Sequence, residues 1–84
     1  MKAEIKDNKL YYQWRGKRKW RKLYRVGGGV YSTSYSLTEK EARAIADELE
    51  KQGYDAWVGL HLTSFSDVFG DKWCVRVRKK RRRK

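Results

Sequence analysis

Apolar positions along Thr38–Gln52 follow a helical period. Ala42, Ile45, Ala46 and Leu49 fall at i, i+3, i+4 and i+7, a single stripe down one side of a helix. Thr38 three residues ahead of Glu41 predicts a capping box, in which the hydroxyl takes one orphan N–H and the carboxylate reaches back to another. Glu39 and Glu41 suit the positive end of that helix, and Gly53 supplies the left-handed residue that stops it. Elsewhere the period is two. Asp55–Leu62 sets Ala56, Val58, Leu60 and Leu62 against Asp55, Trp57, Gly59 and His61. Trp73–Arg78 sets Trp73, Val75 and Val77 against Cys74, Arg76 and Arg78. Such alternation predicts half-buried antiparallel strands. Lys9–Arg15 and Lys19–Val26, rich in aromatic and β-branched residues, flank Gly16-Lys17-Arg18 and predict a β-hairpin. Its second strand is expected to run on past Gly27–Gly29 into Val30–Ser34.

The element order is therefore ββαββ, and the expected class is α+β. One helix packs on one face of a four-stranded antiparallel sheet, within a single domain spanning residues 1–78. Leu10, Tyr12, Trp14, Tyr24 and Val26 are expected beneath the helix, with Trp20 at the edge of that set. The opposite face is then expected to carry Tyr11, Gln13, Arg15, Lys19, Arg21, Leu23 and Arg25, joined by Trp57, His61, Arg76 and Arg78.

Charge gives that opposite face a meaning. The chain has 84 residues and a formal charge of +12, from 22 Lys and Arg against 10 Asp and Glu. The charge is segregated. Residues 1–26 hold ten basic residues against two acidic, residues 27–70 hold three against seven, and residues 71–84 hold nine against one. A polyanion relieves the self-repulsion of so basic a body. Lys and Arg release the counterions condensed on phosphates, and aromatic rings stack on bases. The expected function is non-enzymatic nucleic-acid binding. Duplex DNA is the first choice, held weakly sequence-specifically through its phosphates, because a face of Arg and Lys without a dense ring platform suits a duplex. The alternatives are RNA, stacked on Tyr11 and Trp57, or a protein- or glycan-interaction module.

The residues expected to make contact include the hairpin tip, where Arg15, Lys17, Arg18, Lys19, Arg21 and Lys22 surround Trp20, together with Arg25. Tyr11, Trp57, His61, Arg76 and Arg78 complete the sheet face. Lys79, Lys80, Arg81, Arg82, Arg83 and Lys84 form a basic tail too charged to pack, expected to be disordered and to act as an electrostatic arm.

Other chemistry finds little support in the residues. Cys74 is the one cysteine, which excludes an intrachain disulfide and a Cys-pair zinc site. His61 is the one histidine, and no catalytic or metal constellation surrounds it. Gly27-Gly28-Gly29 lacks both the P-loop and the dinucleotide-binding spacing, so a bulge or bend is expected there. No cofactor is implied. Phe65, Val68 and Phe69 are expected to cap the core, with a homodimer through that loop or an edge strand as the other use. No apolar run reaches the roughly 18 residues of a membrane span, and Met1–Lys9 has no signal-peptide core. The expected compartment is the cytoplasm, at a nucleoid or in a virus- or plasmid-encoded setting, or the nucleus of a eukaryotic host. The absence of proline and the near-absence of amide side chains point to a thermophilic source.

Two family resemblances bear on the layout. Tyr24-Arg25-Val26-Gly27, the run Glu41–Leu49, Gly53-Tyr54-Asp55-Ala56-Trp57-Val58 and Trp73–Arg78 resemble the SPOR domain, a small peptidoglycan-binding module. That resemblance implies a βαββ layer, although the basic tail begins where SPOR domains continue into a second helix and a last strand. Lys9–Gln52 is similar in layout to the basic N-terminal domains of phage-type integrases, which lay a three-stranded sheet on duplex DNA.

Overall fold

Paired residues with positive φ set the strand layout. Asp7 and Asn8 (φ 53° and 62°), Arg15 and Gly16 (54° and 80°), and Gly28 and Gly29 (62° and 77°) each close a two-residue hairpin. Positive φ at both central residues gives a reversal whose twist matches that of the flanking strands. The computed structural model describes residues 2–60 and 72–78. They form β1 (Ala3–Lys6), β2 (Lys9–Trp14), β3 (Lys17–Lys22), β4 (Tyr24–Gly27), β5 (Val30–Ser32), α1 (Glu39–Lys51), β6 (Asp55–Leu60) and β7 (Trp73–Arg78). His61, the Phe65–Phe69 loop and the Lys79–Lys84 tail lie outside the described residues.

The class is α+β, with a four-stranded antiparallel sheet of order β4-β5-β7-β6 and one helix packed on β6 and β7. The upstream hairpin does not join that sheet. It forms a second antiparallel sheet, β1-β2-β3, with the unforeseen Ala3–Lys6 strand. The chain passes from one sheet to the other at Leu23. The Leu23 N–H donates to the Asn8 carbonyl at 2.8 Å, the last bond of the first sheet, and Tyr24 begins pairing with Ser32 in the second. Gly27–Gly29 makes a tight reversal into β5, with a bulge at Val26 where the register shifts between Arg25 and Gly27.

The helix follows its sequence signals closely. Thr38 accepts from the Glu41 N–H at 3.1 Å, and the Thr38 N–H donates back to the Glu41 carboxylate at 3.5 Å. At the far end Gly53 sits at φ 100°. The Gly53 N–H donates to the Glu50 carbonyl and the Tyr54 N–H to the Leu49 carbonyl, both at 3.0 Å, the bond pair of a Schellman stop. Ala42, Ile45, Ala46 and Leu49 are buried against Ala56, Val75 and Val77. Leu10, Tyr12 and Ala3 extend the same core from the first sheet.

α1 also ties the first sheet down at two points. The Gln52 amide donates to the Ala3 carbonyl at 2.7 Å. Near the other end the buried Glu41 carboxylate accepts from the Tyr12 hydroxyl at 3.0 Å and from Lys19 Nζ at 3.3 Å. Burial raises the Tyr12 pKa from 10.0 to about 12; Arg21 opposes the rise, and the Glu41 charge and hydrogen bond add to it. The folded state therefore keeps the Tyr12 proton more tightly than the unfolded chain. Its contribution is complete below pH 10.0 and is lost as the pH rises from there to about 12. Alkaline unfolding followed by circular dichroism should show this loss, and Tyr12→Phe should flatten it. An unchanged alkaline slope in that variant would refute the assignment.

Candidate functional site

The two-residue turn at Arg15-Gly16 sets which side chains share the outer face of the first sheet. It pairs Trp14 with Lys17, and hence Tyr11 with Trp20, Tyr12 with Lys19 and Leu10 with Arg21. A turn at Gly16-Lys17-Arg18 would have put β3 in the opposite phase. The expected placements of Lys19, Arg21 and Trp20 are corrected accordingly. Lys19 and Arg21 lie on the core side of this edge strand, and Trp20 stands outward at 53% exposure. Lys19 pairs with Glu41, while Arg21 donates to Ser36 Oγ at 3.1 Å and to the Trp20 carbonyl at 3.0 Å. Leu23, expected outside, is buried, whereas Tyr24 and Val26, expected under the helix, are half-exposed. The change of sheet at Leu23 accounts for these last corrections, because it turns that side chain into the core between the two sheets.

The outer face of the first sheet carries Lys2, Glu4 and Lys6 from the β1 side, Lys9, Tyr11 and Gln13 from β2, and Arg18, Trp20 and Lys22 from β3. The Leu23–Asn8 bond fixes the phase of the β2–β3 ladder, making Tyr11 and Trp20 a non-hydrogen-bonded pair. Side chains in such pairs approach most closely. Lys9 Nζ lies 5.4 Å from the Trp20 ring centroid, and Lys22 Nζ lies 5.3 Å from that of Tyr24. Among the described residues, the ion pairs join Lys19 to Glu41, Arg43 to Glu39 and Arg78 to Asp55. None draws on the cations of this face. Its positive charge is not neutralised within the described fold, and Glu4 is the one carboxylate interspersed with it.

The four-stranded sheet also has an outer face, away from α1. Tyr24, Ser32, Arg76 and Trp57 stand in one row across its strands, and Tyr24 and Trp57 are exposed. Arg76 is held rather than free. One of its terminal nitrogens donates to the Tyr35 hydroxyl at 2.6 Å, and its Nε is buried without a partner. Arg78 is paired with Asp55 at 2.8 Å. Arg25 pairs with Tyr31 and so stands on the α1 side of this sheet, exposed at its edge, not on the outer face as expected. Arg15 and Lys17 are exposed at the hairpin tip, with the Arg15 guanidinium 5.6 Å from the Trp14 ring centroid.

An open groove of about 720 Å³ adjoins the Tyr11–Trp20 pair. Its lining includes Ala3, Tyr12 and Lys19 from the α1 side of the sheet, Glu48 from α1 and Gln52 at its cap, so it opens between the sheet and the helix. No group of three or more metal-ligating side chains occurs among the described residues, and no helix there is long and apolar enough to cross a membrane.

The sequence reading missed Lys2, Lys6, Lys9 and Tyr24 as members of the basic, ring-bearing surface. The signal for the lysines was present. Lys2, Glu4 and Lys6 alternate with Ala3 and Ile5, and Asp7-Asn8 then supplies a residue pair that tolerates positive φ. Comparison with known proteins finds no matching family model, curated relative or solved structure.

Proposed function

We propose that this chain is a non-enzymatic nucleic-acid-binding protein whose principal contact surface is the outer face of β1-β2-β3. One observation carries this reading: Lys2, Lys6, Lys9, Arg18 and Lys22 share a face with exposed Tyr11 and Trp20, and no ion pair among the described residues neutralises them. Acids collect elsewhere, with Asp47 and Glu50 on the exposed side of α1. A polyanion laid on the sheet meets cations first, and the rings then touch whatever lies between its phosphates. Arg15 and Lys17 at the hairpin tip, together with the basic tail, extend the same attraction. Arg76 and Arg78 contribute less than the sequence suggested, since each already has a partner within the fold.

The test is the salt dependence of binding. Neutralising about five phosphates predicts a log–log slope near −4.5 on duplex DNA and about −3.5 on a single strand. Replacing Lys9, Arg18 and Lys22 together with Ala should make the duplex slope shallower by about 2–3. A salt-independent affinity, or no binding at low salt, would remove the reading in favour of a protein or glycan partner.

A further inference from the structure

The expectation of duplex DNA rested on a face poor in rings, and the structure removes that premise. Tyr11, Trp20, Tyr24 and Trp57 are all exposed on the outer faces. Trp20 and Tyr11 are the informative pair, because they stand side by side on the outer face and outside the core cluster. A half-exposed Trp in the middle of a strand leaves apolar surface in water, which Tyr11 and Lys9 cover only in part.

From this juxtaposition we infer that the Tyr11–Trp20 pair forms a stacking site for the bases of an unpaired nucleic-acid strand. The inference rests on the nucleic-acid reading above and names the class of strand. In a duplex, base faces are stacked on one another and only edges and phosphates are presented. A flat indole then has nothing to cover it. An unpaired strand offers base faces, and stacking on an aromatic side chain tolerates any base. The surroundings suit the rest of a nucleotide. Arg18 on the same face and Lys9 beside the indole provide charge for the phosphates on either side of a stacked base. Gln13 shares the outer face with the pair and carries a carboxamide that can donate to or accept from the polar edge of a base. Lys22 and Tyr24 continue the alternation of cation and ring past the seam at Leu23, giving the strand a path toward the four-stranded sheet.

The experiment compares four probes of equal phosphate count at one salt concentration: oligothymidylate, oligouridylate, an abasic deoxyribose-phosphate strand and a DNA duplex. Both base-bearing single strands are expected to bind about tenfold more tightly than the abasic strand and the duplex, and to quench tryptophan fluorescence. Trp20→Ala should lower their affinity about tenfold and abolish most of the quenching, while Trp20→Phe keeps most of the affinity. The loss on the duplex should be much smaller than on either base-bearing single strand, and circular dichroism with the parent spectrum would show that both variants fold. If the abasic strand or the duplex binds as tightly as oligothymidylate, and Trp20→Ala changes nothing, the stacking site is overturned while electrostatic nucleic-acid binding stands. If no probe binds at low salt, both proposals fall.

Discussion

Glu41→Ala is expected to lower stability by about 3 kcal/mol, which for a chain of this size is a fall in Tm of roughly 10–20 °C. The size follows from how many groups depend on one buried carboxylate. Its Oε1 closes the capping box with Thr38, and its Oε2 accepts from Tyr12 and Lys19. Removing it leaves a buried Tyr12 hydroxyl without an acceptor, at a cost of about 1–3 kcal/mol, and loses part of a cap worth about 1 kcal/mol. Burial pushes the Glu41 pKa up, but the hydrogen bonds from Tyr12, the Thr38 N–H and Lys19 outweigh it and hold the carboxyl below its ordinary 4.5. The folded state therefore binds this proton less readily than the unfolded chain. The contribution is present above pH 4.5 and fades as the pH falls below it. Glu41→Gln keeps an acceptor for Tyr12 and should lose roughly half as much, with a flatter acid limb. Urea titrations of the parent and both variants measure this directly. A loss below about 0.5 kcal/mol for Glu41→Ala would mean that the carboxylate is solvated and the tie between helix and sheet is not made.

The second large effect is expected at Gly59, where β6 crosses β7 opposite Cys74. A Cβ placed there would lie 2.9 Å from Cys74 Sγ and 3.7 Å from Arg76 Nε. Cys74 is fully buried, so its sulfur has no solvent to move into. Gly59→Ala should therefore cost about 1–3 kcal/mol by overpacking, although alanine is ordinarily the better strand residue. The same substitution in a Cys74→Ala background should cost nearly nothing, because the colliding sulfur is gone. A double-mutant cycle by chemical denaturation tests this, and strict additivity of the two changes would show that no clash exists. Arg76, at ordinary contact distance from that position, would not resist the added methyl.

Much of this fold is legible from periodicity. α1 declares its stripe, its cap and its stop in consecutive residues, and β6 and β7 alternate so regularly that Ala56, Val75 and Val77 could be placed facing the helix without coordinates. The β3 strand is different. Lys17-Arg18-Lys19-Trp20-Arg21-Lys22 has one apolar residue and no alternation, so hydrophobicity does not set its phase. Turn geometry does, through a non-glycine residue, Arg15, at φ 54°. A shift of one residue in the turn exchanges every side chain between faces, which is why Trp20 and Lys19 changed places. The division into two sheets was hidden for a related reason. It depends on Leu23 turning into the core, and a strand rich in rings and cations reads the same whether it pairs on one sheet or two. Glu41 reads from sequence as a cap, and its second role depends on Tyr12 and Lys19, which are far from it in the chain.

Among the described strands, β3 is terminal in its sheet, so one side of its backbone has no ladder partner. An open β-edge is the usual template on which identical chains join into fibrils. Five of the six β3 side chains are cationic, so a second copy approaching that margin meets like charge along its whole length. The positive charge that suits the adjoining face to the proposed polyanion thus also opposes strand-to-strand pairing of two copies along this margin.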